Sequence, residues 1–569
     1  MLYSIRGVDF ATKRRRQQMR KYFMKCKVSA LSFGMAEVVT AIENVLLAYV
    51  FQFIVAIAAG ETNKTIKDGI LMVLCYLIFT LVFGFIFYFC KERFRCRFMG
   101  ELREDIFNHF MARKFAKYYK NNTGEYISVI NNDLRLIEQN AVLPIFNIIQ
   151  HTATLLLALY SIWRVNRVLA PVLLLVAIGT MLFGKVYSVG LSEASDAYMN
   201  ESAEYQNKIK DAFQGFEVIH NFGILGIIQK KHAGWSQSLE QKRYGSNIRM
   251  DRAACLSNFT NLSIQTLTFV VCGYLALKGR LTISQITLLS SLTNQLFYPL
   301  FEIVDAMNCY RSTAAIRKRI AEITQDEEET ERLNATALKK EIRFKDVSFG
   351  YEEDKFILKN LNIVFEQGKK YAIIGASGSG KSTILRLLLR YYDNYTGEIV
   401  WDGQDISTFS EESLRTNCSF IPQNIFLFDD TLYNNITLYK EYPYESIMAA
   451  IRKAGLENMV NRLENGLETR VTENGNNFSG GEKQRIAVAR ALLTGNKLIL
   501  MDEATANLDS DTAASVEEII LQEKEVTCIS VIHHFIEKNM HYFDKVFVIR
   551  DGKVEEAGTY EELRSKNVI

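Results

Sequence analysis

The stretch that decides the fold is the glycine-rich segment GASGSGKST at residues 375–383. An apolar run from Lys370 to Ile374 precedes it and predicts a short buried strand, whereas the leucine-rich run from Thr383 to Arg390 predicts a helix. Glycines allow the backbone to curl until successive N–H groups converge on phosphate oxygens, and the start of the helix adds a positive dipole. The segment therefore predicts a site for nucleotide phosphates. Its expected contacts are Gly375, Ser377, Gly378, Ser379, Gly380, Lys381, Ser382 and Thr383.

Two side chains of this segment have distinct predicted roles. Lys381 reaches the terminal phosphates as a cation, and the Ser382 hydroxyl is a ligand for Mg²⁺. A flexible Gly/Ser turn would require neither Lys-Ser at this offset nor a strand and a helix on either side. The pattern thus favours a phosphate loop over a simple turn.

Length and charge limit the possible function classes. With 569 residues, the chain is long enough for about two to four domains. Its 67 basic and 64 acidic residues nearly balance, so nucleic acid is not indicated as a partner. The nine cysteines include no CxxC pair, and several lie in apolar runs, which favours reduced, packed thiols over a metal site or a disulfide framework.

The first part of the chain has the charge and hydropathy pattern of a membrane protein. Basic residues crowd the N-terminus, so residues 1–25 are predicted to form a basic elbow on the cytosolic face of a membrane. The apolar stretches that follow approach the roughly 20 residues needed to cross about 30 Å of hydrocarbon. We place the predicted spans at residues 27–59, 69–90, 141–163, 168–190, 256–278 and 283–308.

An even number of spans returns the chain to the side on which it started. We therefore predict a multi-pass protein of the cell membrane, with the N-terminus and the nucleotide-binding domain both in the cytoplasm. The excess of basic residues on the inside is only partly observed, because Arg164, Arg167, Lys278 and Arg280 fall in loops assigned to the outside. Those loops are very short, and the basic flank of the first span favours the chosen orientation.

The predicted domain order is a transmembrane domain at 26–323, a linker at 324–340 and a nucleotide-binding domain at 341–569. Inside connections at 91–140 and 191–254 are long, polar and helical in period, which predicts helices that extend beyond the bilayer. Segments near 116–125 and 215–223 place aromatic residues beside turn formers, and pattern alone leaves open whether they dock into a partner domain or are loop turns. The last domain alternates β-rich and helical runs, as α/β domains do.

Two further motifs in the last domain are typical of nucleotide chemistry. The apolar run 498–501 ends in Asp502 and Glu503, which predicts that Asp502 binds Mg²⁺ and that Glu503 orients the attacking water. A second anion-binding helix start is predicted at Ser479, Gly480, Gly481 and Glu482, with Ser479 as the N-cap. Two such sites in one chain suggest that they act on one nucleotide from two subunits.

Together these motifs resemble an ATP-binding cassette (ABC) transporter half-unit of the exporter type, over nearly the whole chain. The resemblance implies six membrane helices fused to an α/β P-loop NTPase domain, with ATP and Mg²⁺ as cofactors and ATP hydrolysis coupled to transport. It implies that Tyr351 stacks on adenine, that Gln423 contacts Mg²⁺ and that Asp509 lies in the loop linking the two sites. It also implies that His533 contacts the γ-phosphate as a catalytic residue beside Glu503.

The resemblance also assigns the two aromatic cytosolic segments as coupling helices and implies a second half-transporter, of the same or a different chain, as partner. Phe478 and Glu482 replace the commoner Leu and Gln of the signature motif, and His534 stands where Arg is frequent. Because the Ser479-Gly480-Gly481 core is intact, these departures predict altered tuning without loss of function.

The cargo is the least determined part of the prediction. Glu37 and Glu43 in the first span are ionisable groups in apolar surroundings, which predicts a cavity that contacts cationic or amphipathic cargo; interhelical hydrogen bonding is the alternative. The favoured function is export of an amphipathic small molecule, peptide or lipid. The alternatives are an importer of a metal chelate with the same architecture and a nucleotide-binding regulatory partner with little turnover.

Overall fold

The computed structural model describes residues 19–119, 123–187, 190–324, 332–352, 355–472, 475–505, 508–533, 536–566 and 568, without the side chains of 180–187, 191–192 and 257. Parts of the predicted elbow (1–18), the first aromatic segment (120–122), the fourth span (188–189) and the linker (325–331) lie outside these residues, as does His534. The chain divides into two compact units, here called the helical unit and the α/β unit. The α/β unit comprises Glu327–Ile569 together with the segment Arg113–Lys120, and the rest of the chain forms the helical unit.

Long helices make up the helical unit. Their bounds are Lys27–Ala58, Ile66–Met111, Thr123–Val165, Leu169–Tyr187, Leu191–Gln214, Phe216–Asn221, Leu225–Leu277, Ile283–Ser312 and Ala314–Ile323. Within Thr123–Val165, two π-helical turns lie at Val129–Asp133 and Glu138–Val142. Residues 19–25 are also helical.

Four of these helices are long and apolar enough to cross a membrane. They are Lys27–Ala58, Ile66–Met111, Thr123–Val165 and Leu225–Leu277. The predicted fourth span lies in the helix Leu169–Tyr187, which is apolar over Leu169–Gly179, the part whose side chains the structure describes, and its crossing of the membrane stays a prediction. Ile283–Ser312 contains the predicted sixth span, and its crossing of the membrane stays a prediction.

The two longest helices are much longer than a bilayer is thick. Ile66–Met111 has 46 residues and Leu225–Leu277 has 53. At a rise of 1.5 Å per residue, they extend roughly 70–80 Å, whereas the hydrocarbon core is about 30 Å thick. Their polar parts therefore project beyond the membrane.

The core of the helical unit follows the helical period. Leu288, Leu289, Leu292 and Leu296 lie on one stripe of Ile283–Ser312 and are buried against Ala158 and its neighbours in Thr123–Val165. At the N-terminal end of Ile283–Ser312, the Glu61 carboxylate accepts the backbone N–H of Ile283 at 2.7 Å and so caps this helix.

Two sheets form the α/β unit. The strands are β1 (Glu341–Phe349), β2 (Leu358–Glu366), β3 (Lys370–Gly375), β4 (Tyr395–Trp401), β5 (Gln404–Asp405), β6 (Cys418–Ile421), β7 (Leu498–Asp502), β8 (Thr527–Val531), β9 (Lys545–Arg550) and β10 (Lys553–Gly558). One sheet has the order β2-β1-β4-β5 and is antiparallel, and the other has the order β10-β9-β3-β8-β7-β6. In the second sheet, β9, β3, β8, β7 and β6 run parallel, so their carboxyl ends meet at one edge.

Helices cover the parallel sheet. They are Lys381–Leu388, Glu411–Thr416, Leu432–Thr437, Tyr444–Lys453, Glu457–Arg462, Gly480–Leu493, Ser510–Leu521, Glu537–Met540 and Tyr560–Ser565, with 3₁₀ turns at Ile406–Thr408 and Gly466–Glu468. A further short helix, Phe115–Tyr118, belongs to this unit although its neighbours in sequence belong to the other. Strands β7 and β8 are buried along their whole length, which explains their continuous apolar sequence.

Candidate nucleotide-binding site

The predicted phosphate loop connects the end of β3 to the helix Lys381–Leu388. Gly375 has φ of 150°, and a Cβ there would lie 2.1 Å from the carbonyl oxygen of Ile549. Gly380, the residue before the helix, has φ of 100°, and a Cβ there would lie 2.7 Å from Leu358 Cδ2. Only glycine fits at both positions, so the backbone can pass close to neighbouring strands and still turn into the helix.

The polar groups of the loop point into its curve. Lys381 is 4% exposed, and its Nζ donates to the carbonyl oxygens of Gly375 at 2.9 Å and Ala376 at 3.0 Å. Ser379 Oγ is buried, and within the described residues it has no hydrogen-bond partner. A buried hydroxyl that lacks a partner is costly unless a ligand satisfies it, and a phosphate oxygen would do so. The loop therefore fits an anionic phosphate.

Oxygen donors for Mg²⁺ meet beside this loop. Ser382 Oγ donates a 2.5 Å hydrogen bond to Oδ1 of Asp502, the last residue of β7. Burial raises the pKa of the Asp502 carboxyl, while Ser382 and the positive charges of Arg386 and Lys381 act in the opposite direction. A cation between these oxygens would relieve the cost of burying the carboxylate.

The ligand set is small, as is usual for Mg²⁺ bound with nucleotide. Among the described residues, no group of three or more His, Cys, Asp or Glu side chains forms a metal site. Mg²⁺ in nucleotide sites commonly takes one or two protein oxygens and completes its shell with phosphate and water. Ser382 and Asp502 fit that pattern.

The predicted catalytic carboxylate follows Asp502 directly. Glu503 has φ of 47°, a left-handed conformation that is uncommon for a residue with a side chain, and its N–H donates to the carbonyl of Val531 at 3.1 Å. Gln423 Nε2 donates to Glu503 Oε2 at 2.8 Å. The two residues predicted to act around Mg²⁺ and water are therefore in direct contact.

The carboxyl edge of the parallel sheet brings most of the predicted catalytic residues together. Val531, the last residue of β8, pairs with both Ile373 of β3 and Asp502 of β7. His533 follows two residues later and is exposed. Strand β6, which precedes Gln423, pairs with β7. Shared strand ends thus place His533 and Gln423 at the same edge as the phosphate loop.

Tyr351, the predicted adenine-stacking residue, lies over the start of the phosphate-loop helix. Its ring is 44% exposed, and its hydroxyl lies 3.2 Å from Thr383 Oγ1. Arg386 Nη1 donates to the same hydroxyl at 3.2 Å. An exposed aromatic face beside a phosphate loop is suited to stacking on a planar base.

The second predicted anion site is the start of the helix Gly480–Leu493. The Ser479 hydroxyl caps this helix by accepting the N–H of Glu482, and the Glu482 carboxylate accepts the N–H of Ser479 at 2.9 Å. Arg462 Nη2 pairs with Glu482 Oε1 at 3.2 Å. Gly481 lies beside the next helix, because a Cβ on it would be 3.1 Å from Thr512 Cγ2.

Asp509 has a structural contact of its own. Its carboxylate accepts the N–H of Thr512 at 3.0 Å and so caps the helix Ser510–Leu521. This bond holds the pKa of Asp509 below its usual value. Together with the closeness of Gly481 to Thr512, it places Asp509 next to the Ser479 to Glu482 motif.

Arg386, Tyr392 and Arg462 are not among the residues that the sequence predicts for the site. Arg386 lies one helical turn after Thr383, so helical periodicity could have placed it on the same face. The contacts of Tyr392 with Tyr351 and of Arg462 with Glu482 join distant parts of the chain and carry no local signal.

The predicted cargo residues lie in the helix Lys27–Ala58. Glu37 is 2% exposed, and in the described part of the chain its Oε2 has no hydrogen-bond partner. Glu43 is partly exposed. An unsatisfied buried carboxylate in an apolar helix is costly, which is typical of a functional position in membrane proteins. Their contact with cargo stays a prediction.

Comparisons with known proteins agree with this geometry. Residues 15–300 match the ABC transporter transmembrane region, which is about half of the chain, and residues 358–506 match the ABC transporter domain. The chain is 27% identical over 556 residues to the ATP-dependent lipid A-core flippase of Mannheimia succiniciproducens, covering 95% of this chain and 94% of that protein. It is 29% identical over 509 residues to the flippase of the same name from Vibrio parahaemolyticus, covering 86% of each.

A solved structure shares the fold. The structure of a bacterial Atm1-family ABC exporter with ATP bound has a TM-score of 0.78 and 22% sequence identity, and the match covers 96% of each chain. The predicted fold class, a helical transmembrane domain followed by an α/β ABC domain, is confirmed.

Proposed function

Since the chain belongs to the ABC transporter family and is an ATP-driven half-transporter of the exporter type, we propose that its cargo is an amphipathic lipid. The observation that carries this proposal is the similarity, over 95% of the chain, to a protein that is an ATP-dependent lipid A-core flippase. Glu37 and Glu43 of the first predicted span would contact this amphipathic cargo.

Nucleotide chemistry would proceed at the carboxyl edge of the parallel sheet. Lys381 and the loop N–H groups would bind the phosphates, and Tyr351 would stack on the base. Mg²⁺, held by Ser382, Asp502 and Gln423, would neutralise the charge that develops on the phosphates. Asp502 is buried and contacts Ser382, so the two predicted oxygen ligands already lie side by side.

Hydrolysis would require Glu503 to orient water. Its Oε2 accepts a hydrogen bond from Gln423, and its other carboxylate oxygen would accept a hydrogen bond from the water. His533, at the same edge of the sheet, would contact the γ-phosphate. These roles use only residues that strands β3, β6, β7 and β8 bring together.

A second half-transporter, of the same or a different chain, would complete the dimeric transporter. Ser479 and the N-terminus of the following helix would contact the nucleotide held by the partner's phosphate loop. The short helix Phe216–Asn221 supports a partner as well, since Phe216 is 60% and Phe222 is 77% exposed at the end of a polar helical extension. In export, the cargo would move away from the side of the membrane on which the nucleotide domains lie.

The test is lipid movement in reconstituted vesicles. The full chain would be placed in vesicles of phosphatidylethanolamine and phosphatidylglycerol that carry a trace of dye-labelled lipid A-core glycolipid. A membrane-impermeant quencher reports which leaflet holds the dye, before and after addition of MgATP to the nucleotide-binding side. We expect ATP-dependent loss of dye from that leaflet, and no loss with Glu503→Gln.

Other outcomes would contradict the proposed direction, the proposed cargo or the proposed ATP hydrolysis. Movement of dye toward the nucleotide side would indicate an importer, and ATP hydrolysis without any lipid movement would indicate a different cargo. Absence of hydrolysis in the wild type would favour a regulatory partner. Dye-labelled phosphatidylethanolamine, used in parallel, shows whether movement depends on the head group.

A further inference from the structure

Phe115 is held on the α/β unit by an aromatic and cationic cluster. Its ring is stacked on that of Tyr391, with centroids 3.9 Å apart and planes inclined by 6°. The Arg415 guanidinium lies 4.5 Å from the centre of the Phe115 ring. Next to it, Lys114 Nζ pairs with Asp393 Oδ2 at 3.3 Å, although this pair is exposed and contributes little. Stacking and the cation–π contact therefore hold the segment.

Tyr392, the residue between Tyr391 and Asp393, contacts the nucleotide side instead. Its ring meets Tyr351 edge to face, with centroids 5.2 Å apart and planes at 78°. Phe349 completes a triangle of rings, at 5.1 Å from Tyr351 and 5.3 Å from Tyr392. Adjacent residues of one short segment thus contact the predicted base-stacking ring and Phe115.

Arg386 lies at the centre of this arrangement. Its guanidinium donates to the Tyr351 hydroxyl at 3.2 Å, and it is within electrostatic range of Tyr391, Tyr392 and Asp502. It is partly buried on the helix Lys381–Leu388, which begins at the phosphate loop. A single side chain therefore contacts the base-stacking residue and lies near the acid predicted to bind Mg²⁺.

We infer that Arg386 is a positioning residue that couples an adenine base on Tyr351 to the Phe115 segment through Tyr391 and Tyr392. The inference rests on the proposed ATP-driven function and on the predicted role of Tyr351. Arg386 touches neither the reacting phosphate nor the water in this scheme. It acts by fixing where the Tyr351 ring can lie.

The physical reason is that these rings are packed in contact. Stacking of a base fixes the plane of Tyr351, whose hydroxyl and edge are shared by Arg386 and Tyr392. Arg390, just before the two tyrosines, has φ of 53°, so the backbone there is a tight left-handed turn with little freedom. Packed side chains respond by moving together between discrete arrangements, so a shift of Tyr392 is carried to Tyr391 and Phe115.

The coupling predicts that the base, and not the phosphates alone, alters the Phe115 segment. Amide hydrogen exchange of the peptide covering residues 113–119 would be measured in the full chain in lipid discs. Mg²⁺ would be omitted, so that ATP binds but is not hydrolysed. The ligands would be ATP and inorganic tripolyphosphate, which carries phosphates but no base. We expect the change in exchange rate that ATP causes at this peptide to be at least about five times the change that saturating tripolyphosphate causes.

Variants separate positioning from general damage. Arg386→Met is expected to abolish the difference between ATP and tripolyphosphate, while Arg452→Met, at an exposed arginine of the helix Tyr444–Lys453, is expected to keep it. Tyr392→Leu removes the ring contact and is expected to act like Arg386→Met. It also serves as the second variant if Arg386→Met does not fold, as judged by thermal unfolding.

The outcomes distinguish two failures. If wild-type protein neither binds nor hydrolyses ATP, the proposed function is wrong. If it binds and hydrolyses ATP but tripolyphosphate changes the exchange equally, the inference about Arg386 is wrong and the function stands. An undiminished difference in folded Arg386→Met or Tyr392→Leu protein would also overturn the inference.

Discussion

Gln423 Nε2 donates a 2.8 Å hydrogen bond to Glu503 Oε2, which joins the loop after β6 to the residue after β7. Glu503 also holds a left-handed backbone conformation with φ of 47°. Backbone strain of this kind persists only where the surrounding structure enforces it, and it is common at active sites. The carboxylate proposed to orient water is therefore positioned in advance and restrained by an amide.

Replacement of Glu503 by Gln tests the role of this carboxylate. The amide can keep a hydrogen bond to Gln423 but cannot accept a proton from water, so we expect the hydrolysis rate to fall by about 10²–10⁴-fold while ATP binding is retained. Phosphate release in a single turnover and equilibrium ATP binding are the measurements. Glu464→Gln, at an exposed acid of the same unit, is the control and is expected to keep the wild-type rate. Near-normal hydrolysis by Glu503→Gln would assign the role to another group.

Asp502→Asn tests the Mg²⁺ site formed with Ser382. The asparagine removes the charge that binds the metal but is almost the same size, so the loop is expected to stay folded. We expect MgATP to bind about 10–100-fold more weakly, as when a metal ligand is removed, and ATP in the presence of a chelator to bind with little change. Titration of both ligand forms on wild type and variant gives the comparison. Equal weakening of both forms would mean that Asp502 contacts the nucleotide or supports the loop, without a metal.

Local pattern alone predicts the phosphate loop and the acidic pair Asp502 and Glu503 at the end of strand β7. The glycines, the Lys-Ser pair and the flanking apolar and helical runs are all contained in one short stretch, so chain neighbours define the site. Ser382 and Asp502 are far apart in sequence, but Ser382 comes after strand β3 and Asp502 ends strand β7, and the carboxyl ends of parallel strands meet at one edge. The 2.5 Å contact between them follows from that topology.

Contacts set by side-chain packing could not be predicted in the same way. The bond between Gln423 and Glu503 depends on β6 pairing with β7 in one register, and the sequence does not specify that register. The stack of Phe115 on Tyr391 joins residues of distant segments, and nothing in either segment marks the other as its partner. The sequence marks Glu37 as a polar residue in an apolar helix, but its burial at 2% exposure depends on how the helices pack.

Gly375→Ala and Gly378→Ala test the backbone of the phosphate loop. A Cβ on Gly375 would overlap the carbonyl oxygen of Ile549 at 2.1 Å, so strand pairing between β3 and β9 must shift. Gly378 has φ of 81° but within the described residues has nothing within 4 Å of an added Cβ, so Ala there costs only about 1–2 kcal/mol of backbone strain. We expect a clearly larger drop in apparent Tm for Gly375→Ala, measured on the full chain in detergent. Equal drops would show that the loop adapts to the added methyl.

Glu482→Gln tests the charge at the second anion site. The Glu482 carboxylate closes the capping box with Ser479, at the helix start that is proposed to contact the partner subunit's nucleotide, and it is only partly neutralised by the exposed Arg462. Glutamine can still accept the Ser479 N–H through its amide oxygen, so the cap is expected to persist while one negative charge is removed. Charges near a helix start are worth about 0.3–1 kcal/mol, so we expect the ATP concentration for half-maximal hydrolysis to fall by about two- to fivefold at low salt. The change is expected to shrink at high salt, because the charges are exposed and screened.

Arg462→Gln, which leaves the Glu482 carboxylate without its partner, is the matched control and is expected to raise the ATP concentration for half-maximal hydrolysis. If both variants shift it in the same direction, the charge of Glu482 does not face the bound phosphates.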